Sequence, residues 1–172
     1  LKDTTIVEIP LKIMKCKYLK VSPVIDGVGN DEMWKAVKPY VLDKWVNIST
    51  SYNEKGIYFL FDVQDNEVAN YKDFTDIAVP VWKTDGIELF FDWDRETDIN
   101  NPVFNEDDTQ LMFAVKGNSA LSKDEINKGS DISLGNKNFS IDKSNMKSKK
   151  TEAGYSAEIE ILWSCLDALK LT

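Results

Sequence analysis

The 172-residue chain contains no histidine. That gap excludes Ser–His–Asp and Cys–His nucleophile systems, His-ligated zinc and His-ligated haem. Cysteine is scarce: Cys16 and Cys165 lie near opposite ends, and two thiolates do not complete a four-ligand zinc site. They can pair as a disulfide only if the two ends of the fold are neighbours. Such a long closed loop would stabilise by about 4–5 kcal/mol in the chain-entropy model, but two separate buried thiols is the simpler expectation. No apolar run reaches the ~18 residues needed to cross a bilayer, so no membrane insertion is expected. Positive charge is also short: 21 Lys+Arg face 29 Asp+Glu, a net charge of −8 with a pI near 4.6. Phosphate would be repelled, which argues against nucleic acid and anionic membrane as partners. The chain opens at Leu1 with no basic–apolar–small leader, as a processed chain or an excised fragment would.

What is present is a strong period of two. The hydrophobic fraction of 42% and charged fraction of 29% suit one folded domain spanning residues 1–172. Ile57, Phe59, Phe61 and Val63 alternate with Tyr58, Leu60 and Asp62; Leu111, Phe113 and Val115 alternate with Gln110, Met112 and Ala114. Tyr155, Ala157, Ile159 and Ile161 alternate with Ser156, Glu158 and Glu160, and Gly86–Trp93 makes a fourth strong strand. Weaker strand candidates are Thr4–Ile9, Lys12–Val21, Tyr40–Ile48 and Phe139–Ile141. Asn30 or Asp31 is placed to cap a short helix through Trp34 and Val37, and Ser164 a second through Leu166 to Leu169. Asp94–Asp108 reads as a long hairpin loop and Ser122–Lys150 as irregular. The expected fold class is all-β: an antiparallel, jelly-roll-like β-sandwich with one or two short helices. Odd-numbered strand residues fill its core. Tyr58, Asp62, Glu88, Asp92, Gln110, Glu158 and Glu160 form an acidic, amide-bearing outer face if the strands share a sheet.

The run Trp82-Lys83-Thr84-Asp85-Gly86-Ile87-Glu88-Leu89-Phe90-Phe91-Asp92-Trp93 carries the functional signal. A tryptophan in a polar turn precedes a strand whose outward face holds Glu88, Phe90 and Asp92. An indole covers the C–H face of a sugar ring while a carboxylate accepts its hydroxyl hydrogens. The plainer reading is a half-buried loop aromatic beside a solvated acid.

Five segments in order complete a pattern. They are Ile25-Asp26-Gly27 with Asp31 and Trp34; Tyr58–Asp65; Trp82–Asp92; Asp107–Leu111; and Gly154–Trp163. This succession, over roughly residues 24 to 166, resembles carbohydrate-binding module family 9 and its DOMON-like relatives. The resemblance implies a β-sandwich that grips sugar ends between two tryptophans, with Trp82 as the first, Glu88 as the sugar-binding carboxylate, and Asp85 and Gln110 on accompanying positions. It implies an extracellular, periplasmic or cell-surface setting in glycan utilisation, with an attached or associated glycoside hydrolase. Two departures weaken the sugar clamp. Met112 and Ala114 stand where the family places an arginine and an asparagine, and a thioether cannot replace a guanidinium fork. The segment that supplies the second tryptophan would follow Gly154–Trp163, and Thr172 comes first.

Other chemistry is weaker. Asp92, Asp94 and Asp98 offer oxygen ligands suited to calcium, which some relatives carry, although Thr97 occupies the place an EF-hand glycine needs. A solvated acidic loop is the plainer alternative. Glu88, Glu158 and Glu160 carry no signature that pairs them for glycoside hydrolysis. Met112 and Met146 lack a histidine to complete a haem site. The reading is therefore a non-catalytic carbohydrate-binding domain, its alternative a structural or protein-interaction β-sandwich that has lost sugar binding.

Overall fold

The computed structural model describes residues 14–67, 85–92, 108–115 and 144–166, and residues 130–135 through their backbone. In chain order the elements are β1 (Lys17–Tyr18), α1 (Glu32–Lys35), β2 (Tyr40–Val41), β3 (Val46–Tyr52), β4 (Gly56–Gln64), β5 (Gly86–Asp92), β6 (Asp108–Ala114), β7 (Ser130–Gly135), β8 (Ser144–Lys150) and β9 (Gly154–Leu162). A 3₁₀ turn, Trp163–Leu166, follows.

The strands form two sheets. The larger runs β1-β3-β4-β9-β8, with β2 also paired to β3; the smaller runs β5-β6-β7. Pairing is antiparallel except for β1 on β3, which is parallel. Register sets the core: Ile57 opposes Ile161, Phe59 opposes Ile159 and Phe61 opposes Ala157. These odd positions therefore share one face. Across from them the smaller sheet supplies Ile87, Leu111, Phe113 and Val115, and the Phe59 and Phe91 rings meet edge-on at 6.3 Å. The expectation that odd-numbered residues fill the core holds in all four strong strands, and the architecture is the all-β sandwich read from the sequence.

The short helix also forms. Asp31 occupies its N-cap, but the side chain makes no cap bond to the helix. Instead one Asp31 carboxylate oxygen accepts from the Val24 amide at 3.2 Å, closing the chain that leads into the helix. The 3₁₀ turn takes the place expected for the second helix, beginning one residue before Ser164; residues past 166 lie outside the described set.

Three expectations need correction. The four strong strands do not share a sheet: β4 and β9 belong to the larger, β5 and β6 to the smaller. The even-numbered face of β4 and β9 is solvated only in part: Asp62 is exposed and Glu160 half-buried, but Tyr58 and Glu158 are not on the surface. Tyr58 and Glu158 are fully buried beneath residues 22–37, where Met33, Trp34, Val37 and Tyr58 form a second apolar cluster. Nor is Ser122–Lys150 wholly irregular, because β7 and β8 fall inside it. In β8 the buried positions are Ser144, Met146 and Ser148. Period two is present there, written mostly in small hydroxyl residues, which is why the strand reads as loop. The cysteines do not pair as a disulfide; Cys165 is buried in the main core as expected, whereas Cys16 is exposed rather than buried. The Cys16 thiol lies 3.3 Å from the Thr50 hydroxyl. The strand candidates Thr4–Ile9 and Phe139–Ile141 lie outside the described residues.

Candidate functional site

The two outer faces of the sandwich are built differently. On the larger sheet, β9 carries Glu158 at an even position, and residues 22–37 cross over it as a strap. Its carboxylate accepts three N–H groups: the Trp34 indole at 2.7 Å, the Gly27 amide at 2.8 Å and the Asp26 amide at 3.1 Å. The Ser156 hydroxyl donates to the Gly27 carbonyl. Gly27 is required for this close approach. Its φ is +81°, and a Cβ there would sit 2.8 Å from the Ser148 carbonyl carbon. At the strap's start the Ser22 and Tyr58 hydroxyls lie 2.9 Å apart, and Asn53 donates to Ser22 at 3.0 Å. Burial pushes the Glu158 carboxyl above the usual carboxylate range, against the opposing pull of its three donors. With no exposed surface, Glu158 cannot touch a ligand; its chemistry is to hold the strap. The Ile25-Asp26-Gly27 and Trp34 motif is thus a latch. The sequence signal for it was available: a tryptophan N–H that must find an acceptor once buried.

The smaller sheet leaves its even-numbered β5 face open. Glu88, Phe90 and Asp92 are all exposed. Register sets Glu88 opposite Met112, Phe90 opposite Gln110 and Asp92 opposite Asp108. Gln110 is half-buried, and Met112 and Ala114 are buried. The positions where the family resemblance implies polar sugar contacts are therefore apolar and sealed. Asp85 is half-buried just before β5, and its carbonyl accepts from the Val115 amide at 2.8 Å. Its charge, with that of Asp65 and the larger effect of burial, pushes the Tyr155 phenol up to about 12.

The structure thus brings Glu88 and Gln110 onto one face, one strand apart and displaced by a two-residue step. Asp85 stands at the edge of that arrangement. Trp82 lies outside the described residues, as do Asp94 and Asp98. Of the calcium candidates only Asp92 is described, across from Asp108, and no group of three metal-ligating side chains occurs among the described residues. Two carboxylates alone do not make a calcium cage. Glu88 and Glu158 sit on opposite sheets with the core between them, so they cannot flank one glycosidic bond. No described helix is long and apolar enough to cross a membrane.

Comparison with known structures gives the same sandwich. A carbohydrate-binding module of family 9 from Caldicellulosiruptor kristjanssonii, in complex with cellotriose, superposes with a TM-score of 0.58 at 20% identity, over 86% of this chain and 67% of that one. A family 9 module from the same organism, in complex with glucose, gives 0.53 at 23% identity, over 86% and 69%. At such identities the likeness speaks for the fold. No curated protein matches the chain. The DOMON-like half of the resemblance finds no support in these comparisons. The family model described as carbohydrate family 9 binding domain-like matches residues 25–172, from the latched Ile25-Asp26-Gly27 motif through the open β5 face to the last residue, and on that match the chain belongs to this family of non-catalytic carbohydrate-binding modules.

Proposed function

We propose that this chain, acting as a single module, binds mono- or oligosaccharides through Trp82 and Glu88, with Gln110 and Asp85 alongside. The observation that carries the residue assignment is Glu88, exposed on the open face of β5 with an amide and an aromatic ring beside it. The solved relatives with cellotriose and glucose support a hexose as ligand. Trp82 supplies the ring platform and Glu88 accepts hydroxyl hydrogens. Affinity falls in the micromolar to millimolar range, on the order of 4–8 kcal/mol of binding free energy, because few stacking contacts are on offer. The setting is extracellular, periplasmic or cell-surface, in glycan utilisation with an attached or associated glycoside hydrolase. Calcium at Asp92, Asp94 and Asp98 is the accompanying metal proposal, and equal melting midpoints with calcium and with chelator would remove it.

Calorimetry against glucose, cellotriose and a wider sugar panel tests the reading. Trp82→Ala abolishes the heat of binding and leaves the melting midpoint unchanged. No heat from any sugar with the unaltered chain sinks it. A second reading is favoured by Met112 and Ala114, buried where polar contacts would be needed: a structural or protein-interaction sandwich that has lost sugar binding. It expects that null calorimetric result together with an intact melt.

A further inference from the structure

We propose that Phe90 is a second aromatic platform of the carbohydrate site, and that the site takes a run of linked hexose units lying along β5 rather than a single ring. This deepens the sugar-binding reading above and rests on it. Phe90 is 61% exposed. A lone exposed aromatic on a protein surface is ordinary, but the company of this one is not. Along β5 the two-residue repeat sets it between Glu88 and Asp92, both exposed, and across the ladder its register partner is Gln110. Cross-strand neighbours have Cβ atoms about 5 Å apart. An apolar ring is thus bordered by two carboxylates and an amide. The ring covers sugar C–H groups, and its neighbours reach the hydroxyls at the rim.

The other exposed aromatics among the described residues are already engaged. Tyr18 and Tyr52 meet edge-on at 5.4 Å, and the Tyr18 hydroxyl donates to Glu54. The Trp45 ring carries the Lys44 ammonium 4.5 Å from its centroid. Phe90 has no ring partner among the described residues. Length sets the ligand class. Glu88 to Asp92 is four residues of extended strand, about 14 Å at the usual rise, which is longer than one pyranose ring.

The experiment is calorimetry of the unaltered chain, Phe90→Ala and Phe90→Trp against glucose and cellotriose, with a thermal melt of each. The unaltered chain is expected to bind cellotriose about tenfold more tightly than glucose, since one added stacking contact is of that order. Phe90→Ala removes that preference, weakening cellotriose binding about tenfold with an unchanged melting midpoint; Phe90→Trp keeps or strengthens it. Cellotriose binding that Phe90→Ala leaves intact overturns this inference and spares the sugar-binding reading. Equal affinity of the unaltered chain for both sugars does the same. Absence of binding to both sugars overturns the two together.

Discussion

The two outer faces of the sandwich start from the same sequence pattern and end in opposite environments. On β9, Glu158 alternates with core residues just as Glu88 does on β5. Glu158 is sealed beneath the strap with three N–H donors, while Glu88 faces solvent. A carboxylate that is buried and satisfied acts on the fold; one that is exposed is free to act on a ligand. The difference lies in residues more than a hundred positions away, because Asp26, Gly27 and Trp34 reach Glu158 across that separation.

The largest expected effect comes from breaking the sealed side. Glu158→Ala leaves three donors without an acceptor, each costing about 1–3 kcal/mol when buried. Chemical unfolding should therefore show a loss of at least about 3 kcal/mol, and a loss under about 1 kcal/mol would erase the contrast. Next in size is the core phenol of Tyr155, pushed from 10.0 to about 12. A phenol whose folded pKa is raised lends stability that is complete below pH 10 and lost as pH climbs through 12. The shift of two units corresponds to about 2–3 kcal/mol. Tyr155→Phe has nothing to ionise, so its unfolding free energy should fall less than that of the unaltered chain between pH 10 and 12; parallel curves would show that the phenol is not shielded. The smallest effect on the fold is expected on the open side. Glu88→Ala should change stability by no more than about 0.5 kcal/mol, while weakening sugar binding in calorimetry. A stability loss there as large as that of Glu158→Ala would mean that the two faces do not differ.

Much of this was legible in the chain. The odd-position apolar rows at Phe59 and Phe61, Leu111 and Phe113, and Ile159 and Ile161 announce strands with one dry side, because alternation is a local property of extended backbone. The helix at Trp34 was placed correctly from Asn30 or Asp31, although the Asp31 side chain bonds the Val24 amide rather than capping the helix. β8 was not legible, because its buried positions Ser144 and Ser148 are polar, and their place inside follows only from the pairing of β8 with β9. The burial of Tyr58 and Glu158 was equally hidden. Period two tells which residues share a face and says nothing about what lies on top of it. For the candidate site, the Glu88 face was readable from the Trp82–Trp93 run. The alignment of Phe90 with Gln110 was not, because it depends on a register between β5 and β6.

The amino-acid order by itself settled the all-β character, the dry faces and the exclusion of histidine chemistry, since these follow from alternation and composition. Which strands share a sheet, which outer face is roofed and which acid is left exposed were decided only by long-range pairing. Those outcomes depend on the free energy of contacts between distant segments, and no local pattern encodes it.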